Sequence, residues 1–434
     1  MIRLARQKEL VRCLVPILGL ALLGIFVALY TLDPRDYYRA LASIGVPPFR
    51  YPFLDWEYIT AGIKCWNIGI NVYITDPCDV LHRAHSYSPL WLRAVFIPTE
   101  RTWTTPIGIV LILGFLLSLF WIIKPVNWQE LIICVLACMS PTVIFALERG
   151  NVDVIIFAML VVAGVLSTGP AANRILSYAL ILIAGLLKFY PLIVLSTALR
   201  ERARCFFAIT AAAGVVVVGL FYLFREELAA SLTNVARGGG FGSMNLPLDG
   251  PKYALLVFPG LKQAAWFPEF PYAIIAVLLI VTAAQVIRLV RGNLASALEK
   301  MPERDTVFLV IGAALIAGCF FTAQNIAYRG IYLIFVAAGF VAMRRAMDDP
   351  AARAMLTRAV IIVVFLMWAI FFRQTLLDVL RSRLALYGSL LLWLLREILW
   401  WRLVALLLAV LVVFGVKSEL FAPLRRRHVL QRED

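Results

Sequence analysis

The chain has 434 residues, 62% of them hydrophobic, and its mean hydropathy is +0.88. Soluble globular proteins are about 45–50% apolar, so this composition excludes an ordinary soluble fold and predicts an all-α polytopic membrane protein. The formal charge of +15 comes from Lys and Arg residues that cluster in short loops, as the positive-inside rule requires. Membrane lipids are therefore the expected surroundings, and nucleic acid is not an expected partner.

The start of the chain is basic and leads into an apolar run at residues 14–32. Such a start is also typical of a signal peptide, but this run is long and lacks a clear cleavage site of small residues. We therefore predict a retained first helix with a cytoplasmic N-terminus. This topology makes residues 33–105 a long first extracytoplasmic loop that contains short interfacial helices.

Further apolar runs bring the prediction to about twelve spans, and residues 1–434 are expected to form a single integral membrane unit. These runs lie at residues 106–123, 131–147, 152–167, 175–187, 192–199, 206–224, 272–289, 306–321, 331–343, 359–372 and 403–416. Runs 175–187 and 192–199 are short for a hydrocarbon core of about 30 Å, which is typical of a broken-helix hairpin buried in protein. Residues 225–270 form a second predicted extracytoplasmic loop. Residues 374–402 form either an interfacial amphipathic helix or, in part, a thirteenth span.

The first loop holds carboxylates among aromatic residues, and Asp55 is the leading candidate for chemistry. Surrounded by Phe53, Trp56 and Tyr58, its carboxyl group is expected to be partly desolvated, which raises a pKa. It would then serve as a general base toward a sugar hydroxyl. The alternatives are a helix cap or an ion pair. The residues that compete with Asp55 as base are Asp33, Asp36 and Glu57, and its candidate ion-pair partners are Arg50 and Lys64.

Three isolated cations, Arg149, Lys188 and Arg329, lie in short turns on the predicted outer side. Charges near a membrane are costly and often functional. Each cation either binds the phosphate of a membrane lipid or is a snorkelling side chain at a helix end.

The cysteines and histidines leave two further questions open. The chain has no CxxC pair, so a zinc site of the usual spacing is not expected. Cys65 and Cys78 share the first loop, where a disulfide is compatible with an extracytoplasmic position. Asp79, His82 and His85 lie close together in sequence; they either bind a metal or leave His85 to hydrogen-bond a sugar, and we expect no metal.

A glycine-rich segment at residues 237–243 has neither the Lys nor the Ser/Thr of a P-loop. Nucleotide binding is therefore not expected. The segment is either a mobile loop that closes over substrate or a disordered stretch.

Several short motifs carry a family resemblance. They read Asp55-x-x-Tyr58, Gly69-x-Asn71-x-Tyr73, Tyr87-x-Pro89-Leu90 and, later, Leu187-Lys188-Phe189-Tyr190-Pro191. This pattern resembles the first-loop signature and the later Lys-x-x-Pro turn of the family-87 glycosyltransferases. That family belongs to the GT-C superfamily and includes bacterial polyprenyl-phosphate-mannose-dependent α-mannosyltransferases. The chain departs from the pattern at Ser88, where proline is usual, and at the turn of residues 148–151. A late-loop histidine is also missing, and Tyr328 or Arg329 would replace it.

The resemblance implies a GT-C-like fold in a bacterial inner (plasma) membrane, with the active site facing the extracytoplasmic side. It implies transfer of a sugar, expected to be mannose, from a polyprenyl-phosphate donor to a lipid or glycan hydroxyl, by metal-independent inversion without a cofactor. Asp55 is then the catalytic base, and Lys188, Arg149 and Arg329 hold the donor phosphate. The expected substrate-binding residues are Glu57, Tyr58, Tyr73, His85, Tyr87, Glu148, Asn151, Tyr190, Asn325 and Tyr328. The alternative function is a transporter or flippase for a lipid-linked or anionic solute.

Overall fold

The computed structural model describes residues 2–47, 49–235, 260, 263–264, 270–322, 326–380 and 383–422. Within these ranges every regular element is a helix. Nine of the described helices are long and apolar enough to cross a membrane, or ten helical spans if one bent pair is counted as a single span. The predicted all-α, multi-pass membrane architecture is confirmed at this level.

Seventeen α-helices are described, and their bounds are as follows. They are α1 (Ile2–Leu32), α2 (Pro34–Ser43), α3 (Leu54–Asn67), α4 (Pro89–Leu92), α5 (Thr104–Ile122), α6 (Trp128–Cys138), α7 (Pro141–Glu148), α8 (Val152–Ser167), α9 (Ala171–Lys188), α10 (Ala203–Leu223), α11 (Arg225–Thr233), α12 (Phe270–Val290), α13 (Leu294–Lys300), α14 (Glu303–Thr322), α15 (Leu333–Ala346), α16 (Pro350–Val379) and α17 (Arg383–Val416). Short 3-10 helices cover Arg101–Trp103, Tyr190–Arg200, Ala327–Tyr332 and Glu419–Phe421.

Two of the twelve predicted spans are not among the span-length helices of the described residues. Residues 152–167 form α8, which has 16 residues and is largely buried in protein. Residues 192–199 lie in an 11-residue 3-10 helix, a form that is seldom longer than about four residues. The boundary predicted at residues 402 and 403 is absent, because α17 continues without a break through 34 residues.

The chain divides into two compact units. The first comprises Met1–Phe49, Leu119–Ala146 and Gly238–Val410. In it α14 and α15 pack closely, because Gly312 and Gly339 leave no room for a Cβ against the facing helix. Small residues permit such close approach between membrane helices, where van der Waals packing drives association.

The second unit comprises Arg50–Ser118, Leu147–Arg237 and Leu411–Asp434. Its α3 is buried along most of its length, and a disulfide joins Cys65 of this helix to Cys78 of the following loop. The hydroxyl of Ser177 in α9 donates to the carbonyl oxygen of Ala163 in α8 at 2.8 Å, which fastens these two helices together. The polar residues near the start of α3, the start of α8 and the end of α9 all belong to this unit.

Candidate functional site

The start of α3 is bound to the turn that precedes α8. The amide of Phe53 donates to the carbonyl oxygen of Glu148 at 2.7 Å, and the amide of Asp55 donates to that of Arg149 at 2.9 Å. The first amides of a helix have no intrahelical partner, so these two bonds satisfy groups that would otherwise be unpaired in a buried position. They bring Asp55 against the 148–151 turn.

The Asp55 carboxylate is buried and accepts three side-chain hydrogen bonds. Its Oδ1 accepts from Arg149 Nη2 at 2.5 Å and from Arg83 Nη1 at 3.1 Å. Its Oδ2 accepts from Asn151 Nδ2 at 2.7 Å. Arg149 was predicted to hold the donor phosphate and Asn151 to bind substrate; in the structure each of them is bonded to the candidate base.

The electrostatics of Asp55 differ from the expectation. Burial acts to raise the pKa of its carboxyl group, but the charges and hydrogen bonds of Arg149, then Arg83 and Asn151, outweigh burial and hold the pKa below its ordinary value. The predicted rise was wrong because the sequence neighbours are aromatic while the spatial neighbours are cationic. Asp55 is therefore ionised at neutral pH, and the proposed ion-pair partners Arg50 and Lys64 are not the ones it uses.

Arg83 is a component of the site that the sequence argument missed. It binds Asp79 through two parallel contacts, Nε to Oδ2 and Nη2 to Oδ1, both at 2.9 Å. It also donates to the carbonyl oxygen of Leu54 at 3.1 Å and lies 4.4 Å from the ring centroid of Tyr58. Burial alone would lower its pKa, but Asp79 and Asp55 raise it above the ordinary value, so the guanidinium stays charged.

Asn151 connects Asp55 to a second buried ion pair. Its Oδ1 accepts from Lys188 Nζ at 3.0 Å and caps α8 by accepting from the amide of Asp153, also at 3.0 Å. Lys188 Nζ donates to Asp153 Oδ1 at 2.7 Å, and the hydroxyl of Tyr190 donates to the same oxygen. Asp153 was missed by the sequence argument; the available signal was a carboxylate in the first turn of an otherwise apolar helix.

Unusual backbone conformations lie next to the charged residues of this network. Three non-glycine residues in the described chain have positive φ: Phe53 at 64°, His82 at 51° and Phe189 at 58°. They lie two residues before Asp55, directly before Arg83 and directly after Lys188. Such conformations cost about 1–3 kcal/mol each and concentrate at functional sites, which supports a functional role for these three turns.

The predicted aromatic residues of the first loop surround His85. Its ring centroid lies 5.7 Å from that of Tyr58, 5.6 Å from Tyr73 and 6.3 Å from Tyr87. Burial lowers the pKa of His85 to about 4, so the imidazole is neutral. Its side chain is fully buried. Tyr87 also places its ring centroid 5.3 Å from Lys188 Nζ.

Glu57 and Glu148 occupy different positions around Asp55. Glu57 accepts from the hydroxyl of Tyr51 and lies 3.6 Å from Arg101 Nε. It therefore points away from the Asp55 cations, as expected for residues two apart on a helix. Glu148 is buried, and its carbonyl oxygen receives the amide of Phe53.

The competing carboxylates of α2 have structural roles. Asp33 caps this helix by accepting from the amide of Arg35 at 2.8 Å. Asp36 forms an exposed ion pair with Arg39 at 3.0 Å. Neither residue belongs to the unit that contains Asp55.

Tyr328 and Arg329 lie in the 3-10 helix Ala327–Tyr332 of the first unit. The Tyr328 ring packs on Phe145, with the ring centroids 5.7 Å apart. The predictions for Asn325 and for the glycine-rich segment 237–243 lie outside the described residues.

In the described residues, one group of three metal-binding side chains is close enough to share an ion, namely Cys65, Asp76 and Cys78. Both sulfur atoms are bonded to each other, so this group offers no thiolate. Asp79, His82 and His85 do not form such a group in the described part of the chain. The side chains of the Asp55 network supply carboxylate and cationic groups for acid–base and electrostatic chemistry.

In comparisons with known proteins, no protein-family model, curated protein or solved structure matched this chain. We therefore base the proposed function on the residues and geometry described above.

Proposed function

We propose that this protein is a membrane glycosyltransferase that moves a sugar, in the first instance mannose, from a polyprenyl-phosphate donor to a hydroxyl group of a lipid or glycan acceptor. The observation that carries the proposal is the buried, ionised Asp55 carboxylate, in hydrogen-bond contact with Arg149, Arg83 and Asn151. Nine of the described helices are long and apolar enough to cross a membrane, and a membrane is the medium in which a polyprenyl lipid dissolves. The family resemblance of the first loop points to the same reaction.

In the proposed reaction, the oxygen of the acceptor hydroxyl forms a bond to the anomeric carbon of the donor sugar, and Asp55 accepts the proton of that hydroxyl. The bond between that carbon and the phosphate oxygen breaks, and the polyprenyl phosphate leaves with the electron pair. Orientation of the two substrates and stabilisation of the leaving phosphate would supply most of the rate enhancement.

Because the pKa of Asp55 is low, we assign the donor a second role, which is to raise that pKa when it binds. A weakly basic carboxylate is a poor proton acceptor, and removing a neighbouring cation from it raises its pKa. A donor phosphate that binds Arg149 would compete with Asp55 for that guanidinium and leave burial to raise the pKa of the carboxyl group. Donor binding would thereby strengthen the base before the acceptor reacts.

Lys188 is the proposed second phosphate ligand. It is now paired with Asp153 at 2.7 Å and with Asn151 at 3.0 Å, so an anionic donor would bind by partner exchange. The phosphate would take the place of Asp153 around the ammonium group, while the hydroxyl of Tyr190 continues to bond to the carboxylate. Arg329 and the remaining predicted substrate-binding residues stay candidates in this proposal.

The deciding experiment measures release of radiolabelled mannose from polyprenyl-phosphate-mannose by the purified, reconstituted protein. The proposal is supported if the wild type transfers mannose to an added acceptor extract and Asp55→Asn lowers the transfer rate by about 10²–10⁴-fold. Asp36→Asn is the matched control, because it makes the same substitution at an exposed pair. Normal turnover in Asp55→Asn removes the carboxylate mechanism. Movement of intact donor across the vesicle without any transfer favours the transporter or flippase alternative.

A further inference from the structure

A cavity of about 430 Å³ in the first unit lies apart, in sequence, from every residue used above. Three helices line it, each with one face: α12 contributes Arg288, α16 contributes Arg358 and α17 contributes Arg402. Its volume falls in the range of ligand pockets, about 300–1,000 Å³. No carboxylate is among its lining residues in the described chain.

The three arginines are exposed, and in the described residues none of them has an ion pair or a side-chain hydrogen bond. Elsewhere in the described chain, Arg39, Arg93 and Arg174 each pair with a carboxylate. Three guanidinium groups facing one cavity repel each other, and an anion between them removes that repulsion.

The position of the arginines along their helices indicates where the anion comes from. Arg288 lies in the last turn of the spanning helix α12, and Arg402 immediately precedes an apolar run that continues to Val416. Arg358 likewise precedes the apolar run 359–372 of α16. Charged side chains at the ends of apolar runs lie at the level of the lipid headgroups.

The remaining wall of the cavity is apolar. It includes Ala359, Ile362, Leu403 and Leu406, which follow Arg358 and Arg402 into the apolar runs of the same helices. Planar guanidinium groups bind phosphate oxygens in pairs, and an adjoining apolar wall accommodates a hydrocarbon chain. A small inorganic anion has no apolar part that could pack against that wall.

We propose that this cavity binds an anionic membrane lipid, with its phosphate held by Arg288, Arg358 and Arg402 and its chain along the apolar wall. The cation distribution in the sequence predicts a cytoplasmic position for Arg288 and Arg358. Arg402, which the twelve-span prediction leaves on the outer side, shares their cavity in the structure, so the ligand would come from the inner leaflet. The proposal stands independently of the proposed glycosyl transfer.

The test titrates detergent-purified protein with short-chain phosphatidylglycerol, with phosphatidylcholine of the same chain length and with inorganic phosphate, and follows thermal unfolding. We expect phosphatidylglycerol alone to raise the unfolding temperature at low concentration. The double variant Arg358→Gln/Arg402→Gln should weaken its apparent affinity about tenfold or more, because two charge-assisted contacts are lost. Arg204→Gln removes a charge at the start of α10, outside the cavity, and should leave the affinity unchanged.

A second variant keeps the test independent of folding defects. Gln285 is exposed and lines the cavity one turn before Arg288, so Gln285→Glu introduces a competing carboxylate without disturbing buried packing. It should also weaken phosphatidylglycerol binding. Equal affinities in wild type and both variants would overturn the proposal. Inorganic phosphate acting at the same concentration as phosphatidylglycerol would overturn the lipid as its ligand.

Discussion

Arg149 Nη2 lies 2.5 Å from Asp55 Oδ1, although 94 residues separate the two in sequence. Both side chains are buried, so each charge is stabilised by the opposite charge of its partner. A buried ion pair adds little compared with a well-packed apolar pair, but removing one partner leaves an uncompensated charge. This contact therefore connects the stability of the site to its electrostatics.

Asp55→Asn should destabilise the protein by about 3 kcal/mol at neutral pH, because Arg149 loses its charged partner. The pKa of Asp55 is lowered in the folded state from its ordinary value of 3.8. Its contribution to stability is therefore present above that value and is lost as the pH falls through the folded-state pKa. Thermal unfolding of both proteins should show a difference at pH 7 that shrinks below about pH 4. A difference that does not change with pH would contradict the pairing.

Asn151→Asp should keep the cap of α8 but replace the amide donor beside Asp55 with a second carboxylate. Like charges raise a carboxyl pKa, so the pH profile of turnover should move toward higher pH. The matched control is Asn127→Asp, which changes the capping residue of α6 in the same way, far along the chain from Asp55. A shift of equal size in both variants would show that Asn151 acts only as a cap.

Lys188→Met should impair both folding and donor binding, since it leaves Asp153 without its cation. The double variant Lys188→Met/Asp153→Asn removes both charges and should recover most of the lost stability. If Lys188 binds the donor phosphate, the recovered protein should still bind donor about tenfold or more weakly, from the loss of one charge-assisted hydrogen bond. Donor affinity restored together with stability would leave Lys188 a purely structural role.

Gly150→Ala should destabilise the turn between Arg149 and Asn151. Gly150 has a φ of +55°, and a Cβ there would lie 3.2 Å from the Cβ atoms of Phe53 and Trp56. The strain should cost about 1–3 kcal/mol, measured by thermal unfolding. Gly114→Ala offers the comparison, because a Cβ at that helical position meets nothing within 4 Å. That variant should be neutral or slightly more stable, and equal losses would argue against the strain.

The Cys65–Cys78 disulfide closes a short loop with a sequence separation of 13 residues. A loop of about this length should contribute about 3 kcal/mol to stability. Without reductant, a thiol-reactive maleimide should label exposed Cys13 and Cys205 but not this pair. Cys65→Ser/Cys78→Ser should lower the unfolding temperature, with Cys205→Ser as the control. Labelling of both loop cysteines before reduction would contradict the bond and the extracytoplasmic position that it favours.

The sequence by itself determined that this is a helical, multi-pass membrane protein. Membrane spans depend on the local density of apolar residues, so most predicted spans coincide with helices in the structure. The exceptions are 152–167 and 192–199. The first is a short helix buried in protein and the second is a 3-10 helix. A short window of sequence shows neither burial by distant segments nor the turn at Phe189.

The sequence also pointed to the turns that carry Asp55, Arg149, Asn151 and Lys188, because polar residues between apolar runs are conspicuous. The tertiary structure alone decided how these turns combine. It paired Arg149 with Asp55 and Lys188 with Asp153, added Arg83 to the carboxylate's partners, and reversed the expected direction of the Asp55 pKa. The physical reason is that a pKa depends on the charges within a few ångströms, and packing brings those charges from parts of the chain that no sequence spacing connects.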